Sequence, residues 1–291
     1  MGKITVLFLK LLSILPFGFW LLVSRMLAPL LYYGIGYRKK VVHQNLHRSF
    51  PSKSEEEINK IAFEFYQHFC DVMVEYIKFL TISSKALKKR VQFGNTEVLQ
   101  KYSTSKRDFI IVAGHYGNWE ALCALPLINE IKGLEIRFKG IYKVQKNKAV
   151  DDLLFKSRSR HGLVLVPTAD VKQSMQEKTS TSSAIVFLGD QSPSNALRAH
   201  WTTFLNQDTG ILMGTERFAK IFDQPVVYMT ITHPKRGHYK FDFSEITEQP
   251  KEHPKGGISE LHHQLLEKDI IANPSKWLWT HKRWKKEKPK P

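Results

Sequence analysis

Two cysteines, Cys70 and Cys123, are all that 291 residues contain. Both stand in apolar stretches, which excludes a disulfide framework and reads as core thiols in a reducing compartment. No C-x-x-C pair occurs, so zinc ribbons and fingers are out. There is no G-x-S-x-G elbow and no P-loop, which leaves no motif for a serine acyl-enzyme or for P-loop nucleotide chemistry. Acidic residues are in short supply: 27 Asp and Glu stand against 44 Lys and Arg, a formal charge of +17. So large a surplus points to a polyanionic partner, whether nucleic acid, anionic lipid or an acidic protein. No nucleic-acid-binding motif accompanies it. Internal repeats and low-complexity linkers are also missing.

Nor does any uncharged run reach the roughly 20 residues of a bilayer span. Residues 4–37 carry only Lys10 and Arg25, and the longest uncharged run, Leu11–Ser24, contains Pro16. With Lys10 snorkelling, this segment fits a short or tilted span. It equally fits a segment lying in the interface. A buried hydrophobic hairpin in a soluble protein is the alternative to both. No small-x-small cleavage site follows the run, against a cleaved signal peptide. "YRKK", Tyr37–Lys40, supplies a basic edge suited to an anionic cytoplasmic leaflet. The expected division is a membrane-anchoring hydrophobic segment, residues 1–40, and one domain, residues 41–291.

What the chain does have is periodicity. Ser54 and Glu57 form a capping-box pattern ahead of a long amphipathic helix through residue 80, with Ile58, Ile61, Phe65, Phe69, Val72 and Met73 as its stripe. From Asp108 onward, strands alternate with helices. Strands are expected at 109–114, 136–142, 163–167, 183–191, 225–232 and 239–244. Helices are expected at 119–131, 147–162, 170–178 and 214–222. This alternation predicts an α/β fold with a mostly parallel or mixed sheet flanked by helices, following an N-terminal hydrophobic helical segment.

Chemistry concentrates in "VAGHYGNWEALCALP", residues 112–126. His115 and Glu120 are five apart, which one continuous helix would splay by about 140°. That is useless for a metal pair of the H-E-x-x-H kind. The spacing fits a strand ending at the histidine and a helix starting just before the glutamate, with Asn118 as N-cap. Across the Gly117-Asn118 turn, Glu120 is then expected to fix the imidazole tautomer. His115 would take a proton from an attacking hydroxyl. A structural histidine and a glutamate complementing a helix dipole explain an isolated H-x4-E more simply. Ligands of parallel sheets bind beyond the carboxyl ends of strands, and Asp190 lies at such an end too, as support for a shared site.

The wider context resembles the bacterial lipid A biosynthesis (late) acyltransferases, of the lysophospholipid acyltransferase-like superfamily. The resemblance rests on "GHYGNWE" after a strand and on "YRKKVVHQNLHRSFPSKSEEE" behind the apolar segment. "KSRSRHG" (156–162), "GDQSP" (189–193), "FLNQDTGILMGTERFAK" (204–220) and "NPSKWLWTHKRWK" (273–285) complete it. These landmarks come in family order and cover nearly the whole chain. The resemblance implies a glycerolipid acyltransferase-like fold, with residues 41–291 as the acyltransferase domain. It implies His115 as general base and Glu120 as its orienting acid, although many members carry aspartate at that place. It makes Arg158 an oxyanion- or phosphate-binding group, and Asn118, Arg160, Asp190 and Gln191 substrate-binding or site-bracing residues. Thr209 and Glu216 are weaker candidates. Trp277, Trp279 and Trp284 fit either an interfacial belt or a packing stripe, and the basic tail Lys282–Lys290 fits anionic head groups.

The implied activity moves an acyl chain from an acyl carrier protein thioester to a hydroxyl of a lipid A precursor. It would take place at the inner membrane facing the cytoplasm, with no metal and no bound cofactor. An acidic carrier protein and a phosphorylated glycolipid would both suit the positive charge. A lysophospholipid, aminolipid or other glycolipid acceptor is the nearest alternative, and a hydrolase passing the acyl group to water is a second. A non-catalytic basic protein binding anionic lipid explains the charge and the apolar segment but leaves the His-Glu turn idle.

Overall fold

The computed structural model describes residues 3–289. The first two residues of the apolar segment and Lys290 of the basic tail lie outside them. Helices α1 (Lys3–Ile14) and α2 (Phe17–Pro29) meet at Pro16, and α2 runs on into a π-helical turn, Leu30–Ile35. The stretch Phe17–Ile35 is long and apolar enough to cross a membrane. One face of it is nonetheless buried in the protein, through Phe17, Trp20, Ser24, Ala28 and Tyr32. The other face exposes Phe19, Leu22, Met26, Leu30 and Tyr33. Helix α3 (Lys39–Ser49) follows, then α4 (Glu55–Phe79), opened by the Ser54–Glu57 capping box. Most of the α4 stripe is buried; Met73 is left exposed, and its neighbour Val74 is buried instead.

Among the described residues nine strands follow: β1 (Val91–Gly94), β2 (Phe109–Ala113), β3 (Ile136–Tyr142), β4 (Val164–Pro167), β5 (Ser182–Leu188), β6 (His200–Phe204), β7 (Gln207–Ile211), β8 (Val226–Thr232) and β9 (Tyr239–Thr247). Seven form one sheet in the order β1-β9-β8-β2-β5-β3-β4. Every neighbouring pair is parallel except β8–β9. The sheet is therefore mixed, in an α/β architecture. β2, at its centre, is buried at all five positions. Its side chains alternate between two cores: Phe109, Ile111 and Ala113 join one cluster, Ile110 and Val112 the other. A period of two sends successive residues to opposite faces, so both faces are covered. Phe17 belongs to the first cluster and Tyr32 to the second; the apolar N-terminal segment is packed into the same cores as the rest of the chain.

One local expectation differs from the structure, and one hairpin lies outside the predicted elements. The stretch 119–131 is not one helix: a 3-10 turn, Trp119–Ala124, gives way at Pro126 to a short helix, Leu127–Lys132. Proline has no N–H to continue the preceding helical ladder. The polar stretch 200–211 forms the antiparallel β6–β7 hairpin, reversed at Leu205 and Asn206 with φ of 50° and 61°. Two consecutive positive φ values make the type of two-residue turn whose twist suits a hairpin.

Candidate active site

The site begins with strand order. β2 and β5 are parallel neighbours, with Ala113 opposite Leu188. The residues just past each strand, His115 and Asp190, therefore emerge side by side at the carboxyl edge. Asp190 Oδ1 lies 2.7 Å from His115 Nδ1, and Oδ2 accepts the His115 backbone N–H at 2.8 Å. Oδ2 also accepts Trp277 Nε1–H at 2.9 Å. Asp190 is 2% exposed. Burial alone would raise its pKa; the His115 charge and hydrogen bond, with the Trp277 and backbone donors, outweigh it and hold the carboxyl well below the usual range. For His115, burial works against the imidazolium, yet the charge and hydrogen bond of Asp190 and the charge of Glu120 win, and its pKa lies above 6.5. With Nδ1–H given to Asp190, Nε2 is the acceptor nitrogen, and it takes a hydrogen bond from the Gln191 amide at 3.2 Å. The Trp119 ring stands edge-on to the imidazole at 5.3 Å.

The carboxylate on the imidazole is thus Asp190, and this corrects the expectation that Glu120 would orient His115. Glu120 is engaged elsewhere. Arg158 donates to it twice, from Nε at 3.1 Å and from Nη2 at 2.9 Å. Such a fork matches guanidinium to carboxylate geometry. Arg158 Nη1 makes no hydrogen bond among the described residues.

Asn118 does cap the turn, accepting Glu120 N–H at 3.0 Å. Its amide also donates to Glu75 of α4 at 2.6 Å. Glu75 is 1% exposed, and burial pushes its carboxyl up to about 7. The turn itself requires glycine. Gly117 has φ of +65°, and a Cβ there would collide with the Ile231 carbonyl oxygen. Gly117→Ala is expected to cost about 2–5 kcal/mol, from left-handed strain plus overpacking. A urea-unfolding midpoint indistinguishable from wild type would refute that.

His115, Trp119, Glu120 and Arg158 line one cavity together with an apolar wall that includes Leu122, Leu163, Leu165, Val186 and Leu188. Gly140 lies in that wall, where a Cβ would press on Leu163 at 3.1 Å. Not every candidate joins the site. Arg160 donates to Leu80 O at 2.9 Å, at the carboxyl end of α4. Glu216 accepts the Gly256 and Ser259 N–H groups at the start of the Gly257–Ala272 helix. Thr209 accepts Trp284 Nε1–H at 2.7 Å. Trp277 and Trp279 are buried, at 2% and 0% exposed, so they form no interfacial belt. Trp277, Trp279 and Trp284 pack on one another instead.

Sequence reasoning missed Trp277 as a donor to Asp190 and missed Glu75 entirely. An acid inside an apolar stripe was the one available signal for Glu75. Among the described residues, no cluster of three or more His, Cys, Asp or Glu side chains could hold a metal ion.

A family model described as bacterial lipid A biosynthesis acyltransferase matches residues 3–286. The chain is 19% identical over 250 residues to a lipid A biosynthesis palmitoleoyltransferase of Escherichia coli (strain K12), covering 85% of this chain and 79% of that one. A lipid A biosynthesis acyltransferase of Shigella flexneri is similar to the same extent.

Proposed function

The chain belongs to the bacterial lipid A biosynthesis acyltransferase family, and we propose that it moves an acyl chain from an acyl carrier protein thioester to a hydroxyl of a lipid A precursor. One observation carries the reading: the His115–Asp190 pair opens into a cavity that also holds the Glu120–Arg158 pair and an apolar wall. The apolar wall suits the acyl chain. His115 Nε2 takes the proton of the acceptor hydroxyl as its oxygen attacks the thioester carbonyl carbon. Asp190 supports the imidazolium that forms. Arg158, held in place by Glu120, turns its free Nη1 to the developing oxyanion. The C–S bond then breaks, and the leaving thiolate takes the proton back from His115. Asn118 and Gln191 brace the site. The steps need no metal and no bound cofactor.

The same reading places the protein at the inner membrane with its site facing the cytoplasm. The exposed face of α2 and the basic stretch Tyr37–Lys40 support this.

The test is transfer of radiolabelled acyl groups from acyl carrier protein to purified acceptors, wild type beside His115→Ala. The expected result is labelled lipid A precursor in the wild type only. Label on a lysophospholipid or aminolipid alone would keep the mechanism and replace the acceptor. Label released to water alone would make the protein a thioesterase. Equal transfer by His115→Ala would overturn the base.

A further inference from the structure

A second cavity, of about 400 Å3, lies between α2, α4, the turn after β8 and the segment after the Gly257–Ala272 helix. It shares no lining residue with the cavity at His115. Its charges divide into two groups. Arg236 and Asp71 satisfy each other: Arg236 Nε donates to Asp71 Oδ2 at 2.9 Å, and Nη2 contacts Oδ1 and the Ser24 hydroxyl. The side chains of Arg25, Lys276 and Glu64 line the same cavity and make no hydrogen bond or ion pair among the described residues. Those three sum to one net positive charge, and neither cation among them has a direct side-chain partner.

Lys276 is the informative member. It is half-buried, and burial lowers its pKa against the charges of Asp71, Glu75 and Glu64, which raise it. Removing an ammonium from water is costly, and these carboxylates act on Lys276 without forming an ion pair, so an anion entering the cavity supplies the direct partner. Arg25 supplies a second cation from α2, where the neighbouring Leu22 and Met26 are exposed and apolar. A cationic cleft beside an apolar helix face suits a phosphoryl group carried at a lipid surface.

We propose that this cavity is a second, non-catalytic site that binds a phosphoryl group through Lys276 and Arg25. The site sits behind the turn that carries the histidine. The Lys276 carbonyl accepts Gly117 N–H at 2.9 Å. His68, in the cavity wall, lies 3.0 Å through Nε2 from the Gly117 carbonyl. The inference does not depend on which acyl donor or acceptor the other cavity takes.

The experiment is calorimetric titration of the full chain, in uncharged detergent, with dihexanoyl-phosphatidylglycerol. Dihexanoylglycerol and inorganic phosphate are the comparison ligands. Lys276→Met and Arg25→Gln are each expected to weaken phosphatidylglycerol binding about tenfold, the size of one charge-assisted hydrogen bond. Glu64→Gln, which removes an acid that competes with the ligand for Lys276, is expected to tighten it. Phosphate that fails to compete makes a lipid head group the ligand; phosphate that competes at equal affinity makes free phosphate the ligand of the same site. Should Lys276→Met fail to fold, the exposed Arg25 and the opposite response of Glu64→Gln carry the test. Affinity unchanged across the variants, or dihexanoylglycerol binding as tightly as the phospholipid, overturns the proposal.

Discussion

Asp190→Asn is expected to lower kcat/KM by about 10³–10⁴, close to the loss from His115→Ala. The cause lies in donor counting. Asp190 Oδ2 receives two donors, the His115 backbone N–H and Trp277 Nε1–H, while Oδ1 faces His115 Nδ1. An asparagine keeps its oxygen where two donors need it and puts its NH2 against Nδ1. The imidazole must then carry its proton on Nε2, where it cannot accept one from a hydroxyl. Because the two side chains act as a unit, the double variant should be little worse than either single one.

The pH profile gives a second reading of the same pair. The base works as neutral imidazole, so activity falls as pH drops through the His115 pKa. That pKa is raised, which puts the acid limb of kcat/KM above pH 6.5. In Asp190→Asn the main raising influence is gone and burial prevails, so the limb of the residual activity should move to lower pH. Asp190→Asn within tenfold of wild type, with Glu120→Gln inactive, would instead return the orienting role to Glu120.

Arg158→Gln should lower kcat by about 10²–10³, the range for loss of one oxyanion donor. It should also cost about 2–3 kcal/mol of stability, because Glu120 is left with a charge and no partner. The side chains of Arg158 and Glu120 are 27% and 15% exposed, dry enough for that cost to appear in a denaturant titration. Arg158→Lys keeps the charge but not the fork. It is expected to recover part of the stability and little of the rate. The double variant Glu120→Gln/Arg158→Gln separates two roles. If Arg158 only braces Glu120, the double variant will match Glu120→Gln in kcat. A further drop of tenfold or more, added to that of Glu120→Gln, is the outcome expected of a group on the oxyanion.

Much of this molecule can be read from local chemistry. The Ser54–Glu57 box starts α4 because both partners lie within one turn. β2 shows as an unbroken apolar run because it is buried on both faces. His115 at a strand end and Asn118 as a cap follow from the Gly-Asn turn between them. The hairpin at 200–211 did not show, since its strands are polar and its turn has neither Asn-Gly nor Asp-Gly.

The pairing of the candidate site was not legible. His115 and Glu120 are neighbours in the chain, and their spacing suggested that they were partners. Asp190, 75 positions from His115, takes that place only because β5 lies beside β2. Arg158, 38 positions from Glu120, claims the glutamate in turn. Trp277 reaches Asp190 across 87 positions. Most of the elements, the fold class and the family are legible in the chain alone, because periodicity, caps and motifs act over a few residues. Which acid serves the histidine was decided by tertiary structure alone, because strand order is set by packing the whole sheet between its two cores, and no short stretch of sequence carries that information.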